Sequence, residues 1–338
     1  MSGGVDSSVS AFLLQKAGYE VVGVFIKTWH PDFVTCTEVT DRRDAIRVAA
    51  KLGIPLLTLD LEREYRDHVG KKFIAEYGRG LTPNPDVLCN REIKFGGFWH
   101  FAKTHGADFI ATGHYASMTN VGKKYSLSIP ADIEKDQTYF LWTLTEQDLS
   151  HVLFPLAHLT KTEVRAIAKR EGLSTATKKD SQGVCFLGDV DMKEFLAHYH
   201  KEKKGKVLDE KGKVVGHHNG ALFFTLGERR GFTITHGNGK PYYVVAKDMK
   251  KNTITVSSEK ISSDFAKTRY EILGANFINS IPTKCFYRAR YREVLKNCTV
   301  TKKGKKIFVE FEKPELYSPG QSIVFYDSKN CLGGGVIS

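Results

Sequence analysis

The chain is short of cysteine. Its six cysteines, at positions 36, 89, 185, 285, 298 and 331, are widely scattered, and no two form a CxxC pair. That spacing argues against both a disulfide framework and a zinc site built on paired cysteines. There is also no apolar run of about 18 residues and no charged-then-apolar leader at the start. Neither a membrane span nor export is therefore expected, and the expected compartment is the cytoplasm. Acidic residues are in the minority: 38 Asp and Glu against 50 Lys and Arg leave a net charge of +12. Such a balance favours a polyanionic partner without identifying one. No internal repeat or low-complexity tract is present, so the 338 residues, 41% of them hydrophobic, should fold as two or three ordinary domains.

What is present begins at once. SGGVDSS at 2–8 combines glycines, which leave backbone N–H groups uncovered, with hydroxyls placed where a helix starts. Val5, Val9, Phe12 and Leu13 then fall on one helical face before Gly18. A phosphate bound by the loop would sit at a helix N-terminus. The Lys of a Walker loop and the GxGxxG of a dinucleotide fingerprint are both missing. The plain alternative is a glycine turn that caps a helix. Apolar runs at 19–26, 54–61 and 108–115 flank a helical pattern at 41–53, which is the grammar of a parallel sheet covered by helices. In such sheets ligands bind beyond the carboxyl ends of the strands, so the loop at 2–8 and ATGHY at 111–115 are expected to meet. From about residue 200 short alternating strands take over, among them KPYYVVAKD, KNTITVSS, KCFYRARYRE and KKIFVEFE. The expected division is a nucleotide domain over 1–196, a small central domain over 197–260 and a β-barrel-like domain over 261–338.

Three longer strings narrow the reading: TPNPDVLCNREIKF at 82–95, KDQTYFLW at 135–142 and DSQGVCFLG at 180–188. The opening loop by itself resembles the PP-loop of enzymes that adenylate a substrate and release pyrophosphate. Taken with ATGHYA, SPGQSIVFY and CLGGG, in this order along nearly the whole chain, the strings resemble the tRNA 2-thiouridylase family. The resemblance implies an α/β PP-loop fold of the adenine-nucleotide α-hydrolase kind, followed by the two smaller domains. It also implies ATP-dependent 2-thiolation of the wobble uridine of tRNA.

By that resemblance Cys185 carries a persulfide whose terminal sulfur attacks C2 of the adenylated uridine, and Cys89 breaks the remaining S–S bond. From the residues alone both look like exposed loop thiols; the other four cysteines read as buried small hydrophobes. Asp86 is the expected acid or base, with turn capping as its plain alternative. Ser2, Gly3, Gly4, Val5, Asp6, Ser7 and Ser8 would cradle the ATP phosphates. Gly113 would admit the adenosine, and Ile26 stands where members often place Met against the adenine. No metal is expected on protein ligands alone; Mg²⁺ would arrive with ATP, aided by Asp6. For tRNA the resemblance points to Asn84, Pro85, Asp86, His114, Lys135, Asp136, Gln137, Arg290, Tyr291 and Gln321. A sulfur-donor protein is the second expected partner, and the chain is expected to be a monomer. Members carry an apolar strand before the loop, whereas only Met1 precedes Ser2 here, so the start is expected to be misassigned or trimmed. Another adenylating PP-loop synthetase, or an inactive tRNA-binding relic, remains the alternative.

Overall fold

The computed structural model describes residues 1–34, 37–122, 124–179, 190–236 and 239–338. The loop runs into helix α1 (Val5–Lys16), which buries Val5 and Val9 against Val48, Val164 and Ala168. Strand β1 (Gly23–Lys27), helix α2 (Glu38–Leu52) and strand β2 (Leu56–Asp60) follow, with β1 and β2 parallel. The strand expected from Tyr19 starts only at Gly23, whose N–H reaches the Pro55 carbonyl of the neighbouring segment at 2.8 Å.

Two long helices come next, each interrupted by a π-helical stretch. The first comprises α3 (Glu62–Tyr65), Arg66–Gly70 and α4 (Lys71–Gly78); the second comprises α5 (Pro85–Cys89), Asn90–Gly97 and α6 (Phe98–Thr104). They pack along one another through Tyr65, Val69, Leu88, Cys89 and Ile93. π-helical turns inside α-helices are frequent at functional sites. Beyond them lie β3 (Ile110–Ala111), the hairpin β4 (Ser117–Val121) and β5 (Lys124–Ser128), α7 (Glu146–Leu149), β6 (Val152–Leu153), α8 (Lys161–Arg170) and α9 (Met192–Tyr199). Strands β3 and β6 are parallel. Among the described residues of this first part of the chain the parallel strands thus form two separate pairs. The start of the chain lies between them: the Met1 nitrogen donates to the Val24 carbonyl of β1, and Asp6 and Ser7 lie against Gly113, just past β3.

The central strands β7 (Gly205–Leu208), β8 (Val214–His218), β9 (Phe232–Ile234), β10 (Tyr243–Asp248) and β11 (Thr253–Ser257) form one sheet in the order β10-β11-β7-β8-β9. The last six are β12 (Lys267–Phe277), β13 (Lys284–Arg288), β14 (Lys296–Lys303), β15 (Lys306–Glu315), β16 (Ser322–Tyr326) and β17 (Asn330–Ile337). They run antiparallel in the order β12-β15-β14-β13-β16-β17, and β17 pairs back onto β12. A closed six-stranded barrel results, which leaves few unpaired ladder groups.

Hairpin β4–β5 lies early in the chain, yet it extends the barrel sheet. Asn330 pairs with Ser128 and Cys331 with Leu127. The glycines of CLGGG make the junction possible: a Cβ on Gly334 would come within 2.9 Å of the Trp142 ring, and one on Gly333 within 2.1 Å of the Asn276 carbonyl oxygen. One apolar cluster consequently spans both units, from Phe95 and Ile110 through Tyr139 and Trp142 to Val324 and Tyr326. The nucleotide domain and the barrel share a core.

Candidate active site and tRNA interface

Helix α1 begins without a side-chain cap, so the orphan N–H groups of its first turn face the loop. The loop ties itself down instead. The Ser7 and Ser8 hydroxyls donate to the Gly4 carbonyl at 3.1 and 2.8 Å, and Ser7 accepts from the Ser2 N–H at 3.1 Å. Ser8 is fully buried beneath the Thr175 hydroxyl, at 3.0 Å, so it braces the loop from below. Gly3 has φ +72°, and a Cβ there would overlap the Asp41 carbonyl. A Cβ on Gly113 would press within 2.9 Å of Asp6 and the Ser7 nitrogen. The expected meeting of the loop with ATGHY is realised. Ile26, on β1, packs against the cluster of Leu61, Tyr65 and Cys89.

Asp6 is held from two sides. Lys161 Nζ donates to its two carboxylate oxygens at 2.7 and 2.8 Å, and the Tyr115 hydroxyl donates to Oδ1 at 3.0 Å. Lys161 stands at the first position of α8, which a reciprocal Thr160–Glu163 capping box fixes.

The expectation of an exposed loop thiol fails at Cys89. It ends helix α5 and is 3% exposed. The physical reason is local: Asn84 Oδ1 accepts from the N–H groups of Asp86 and Val87, and Pro85 occupies the first turn, so Asn-Pro-Asp begins a helix. Asn84, not Asp86, is the cap. Asp86 and Cys89 are three residues apart and share a helix face. Burial pushes the Asp86 carboxyl above the usual carboxylate range, with the Lys94 ammonium pulling it down. Burial, helped by the same lysine, holds the His114 imidazole neutral, well below its ordinary range. Thr112 shares a hydrogen bond of 2.8 Å with His114 Nδ1, and the ring stacks on Phe95. Cys185, the expected persulfide carrier, lies outside the described residues, as does Cys36.

Of the residues expected on tRNA, Asp136 is turned inward. Its side chain is 1% exposed, pairs with Arg288 of the barrel at 3.1 Å and accepts two hydrogen bonds from Thr138. A charge read as a surface contact is a tie between domains. Gln137 exchanges two hydrogen bonds with the Tyr115 backbone, and Lys135 ends a short 3₁₀ turn beside it. KCFYRARYRE does not continue as a strand: β13 stops at Arg288, and the chain turns through Arg292 at φ +62°. Arg290 and Tyr291 are on that turn. Arg290 lies over the Tyr317 ring, and Tyr291 packs on Phe140 with ring centroids 4.7 Å apart. Gln321 accepts from the Ser318 N–H at 2.9 Å. On the Cys89 helix's continuation Asn90 Nδ2 donates to the Phe140 carbonyl at 3.0 Å, and the neighbouring Tyr139 hydroxyl donates to the Ala289 carbonyl at 3.0 Å. The Cys89 helix and the Arg290 turn therefore meet at one seam.

The chain resembles proteins with the same three-part layout. The family described as tRNA methyl transferase HUP domain matches residues 1–189, the tRNA methyl transferase PRC-barrel domain 193–258, and the aminomethyltransferase β-barrel domain 269–337. It is 44% identical to the tRNA-specific 2-thiouridylase MnmA of Streptococcus sanguinis, over 100% of this chain and 93% of that one. The chain belongs to the tRNA-specific 2-thiouridylase family. The protein of the same name from Streptococcus pyogenes serotype M49 matches with the same identity and coverage. Among solved structures, the U34-tRNA thiolase NcsA from Methanococcus maripaludis aligns with 60% of this chain and 65% of its own, at 18% identity and a TM-score of 0.36.

For a 2-thiouridylase the most informative residues are some that sequence reading passed over. Lys161 and Tyr115 clamp Asp6, and Lys94 faces both Asp86 and His114. The only local signal for Lys161 was the Thr-Lys-Thr-Glu capping box; Lys94 lay in a quoted string without a role. No group of three or more His, Cys, Asp or Glu side chains among the described residues is arranged to hold a metal. No described helix is long and apolar enough to cross a membrane.

Proposed function

We propose that this chain carries out ATP-dependent 2-thiolation of the wobble uridine of tRNA, with sulfur delivered by a donor protein to Cys185. The observation that carries the reading is the uncapped α1 N-terminus held against Gly113 with Asp6 clamped by Lys161, while His114, the residue after Gly113, shares the influence of Lys94 with Asp86. These residues fit a triphosphate: first-turn N–H groups face the loop, Gly3 and Gly113 let backbone approach closely, and a lysine stands beside a carboxylate. Bound ATP would supply the adenylyl group that makes the uridine C2 oxygen a leaving group.

Lys161 would hold a phosphate oxygen of the nucleotide, and Asp6 would help to hold Mg²⁺, which commonly takes one or two carboxylates along with phosphates. The terminal sulfur of the Cys185 persulfide attacks C2, and the C2–O bond breaks as AMP leaves. The Cys89 thiolate then attacks Cys185 Sγ, breaks the S–S bond, and leaves 2-thiouridine and a Cys89–Cys185 disulfide, whose reduction resets the site. Asp86 takes the proton from Cys89. Arg290 and Tyr291 offer a phosphate contact and a stacking ring to the unpaired anticodon loop, next to Asn84, Lys135, Gln137 and Gln321. Asp136 serves this surface from within.

The test is sulfur transfer to an unmodified tRNA with a wobble uridine, supplied with ATP, Mg²⁺ and sulfide and read as retardation on a mercury gel. Retardation is expected to require ATP and to fall by at least about 100-fold in Cys89→Ser and Cys185→Ser. Unchanged retardation in both variants would sink the proposal. The raised Asp86 carboxyl gives a second expectation. The acidic limb of kcat/KM should lie above the usual carboxylate range, because the base works only when deprotonated, and Asp86→Asn should abolish that limb. An identical limb in Asp86→Asn assigns it to another group.

A further inference from the structure

Strands β13 and β14 of the barrel form an antiparallel hairpin in which Cys285 stands directly opposite Cys298. Their sulfurs are 3.5 Å apart. Both belong to the cluster that fills the barrel; Cys298 is buried and Cys285 only partly so. The thiolation chemistry uses neither.

We propose that Cys285 and Cys298 are a redox modification site, a dithiol that closes to a cross-strand disulfide when it meets a low-molecular-weight disulfide. Opposed residues of an antiparallel pair have Cα atoms about 4.5–5.5 Å apart, inside the about 4.4–6.8 Å that a disulfide spans. Backbone movement is therefore unnecessary; the sulfurs need only swing from contact to bonding distance. A single cysteine in a core is ordinarily a small hydrophobe. Two in register, one of them reachable from solvent, are an unclosed bridge.

The more exposed Cys285 takes the first step. Its thiolate attacks one sulfur of the incoming disulfide, forming a mixed disulfide and releasing one thiolate. Cys298 keeps its proton until then, since the hydrogen bond with Cys285 and burial both push it up. Cys298 next loses that proton and attacks Cys285 Sγ, expelling the second thiol. Two thiols are oxidised and one disulfide is reduced to two thiols, so atoms and electrons balance. The bond would sit two pairs from Tyr287–Lys296, the last pair before the turn that carries Arg290 and Tyr291. It would pin the register of the hairpin that presents this turn.

The test treats the folded, reduced chain with oxidised glutathione, blocks remaining thiols after unfolding, and maps the peptides without reductant. Expected is a cross-linked pair of peptides containing positions 285 and 298, about 2 Da lighter than the reduced pair and restored by dithiothreitol. Cys298→Ala should instead hold glutathione stably on Cys285. Peptide mapping separates this bridge from any between Cys89 and Cys185. The proposal falls if both thiols are still blocked by the alkylating reagent, if wild type keeps glutathione on Cys285 with Cys298 reduced, or if Cys298→Ala takes up no glutathione there.

Discussion

Pyrophosphate release at saturating ATP and tRNA should fall by about 10²–10³ when Lys161 is replaced by alanine, the scale lost when one preorganised charge or donor is taken from a developing anion. The side chain is in place before any ligand arrives. The Thr160–Glu163 box fixes the first turn of α8, the Lys161 N–H donates to Asp132 Oδ2 at 2.8 Å, and Nζ ends between the two Asp6 oxygens. Helices α1 and α8 are locked together through Val5, Val9, Val164 and Ala168, so loop and lysine move as one. A charge so prepositioned costs little reorganisation at the moment of reaction. Asp6 would keep its Tyr115 hydrogen bond in Lys161→Ala, so thermal stability should change far less than rate. Lys161→Arg preserves the charge and should recover part of the activity. A Lys161→Ala rate within threefold of wild type would remove the lysine from the mechanism.

How much of this was legible depended on sequence distance. Helix α1 was plain, because Val5, Val9 and Leu13 repeat at the helical period and propensity agrees with packing. The barrel strands announced themselves by alternation and short polar turns. Asn84-Pro85-Asp86 was ambiguous, since the same residues make a turn or cap a helix; the decisive sign was Asn followed by Pro at the first helical position. Asp136 and Lys161 could not be placed because their partners lie 152 and 155 residues away. A charge in a polar stretch reads as solvated until the fold brings its counter-charge. The β4–β5 hairpin was hidden likewise: its union with β17, about 200 residues on, is a property of the shared core.

That shared core makes the Arg288–Asp136 pair a point where a single change should have a large effect. Asp136→Ala is expected to destabilise the joined nucleotide domain and barrel by about 3–5 kcal/mol, since removing one partner of a buried pair strands the other charge. Arg288 has little else to fall back on. Its side chain is 8% exposed, its Nε has no hydrogen-bond partner among the described residues, and beyond Asp136 it rests on the Tyr326 ring, 4.7 Å from the guanidinium carbon. An exposed pair on the barrel wall, Lys306 with Glu271 at 3.0 Å, is the control, and Lys306→Ala should cost no more than about 1 kcal/mol. Replacing both buried partners, as in Asp136→Asn with Arg288→Met, should cost less than the sum of the single changes, because no charge is left alone in the core. Calorimetry decides the matter: single-variant shifts no larger than that of Lys306→Ala would show that water reaches the pair. A large shift, with tRNA affinity lost alongside it, would mean that the ion pair holds the barrel's Arg290 turn in register with the Lys135–Gln137 segment.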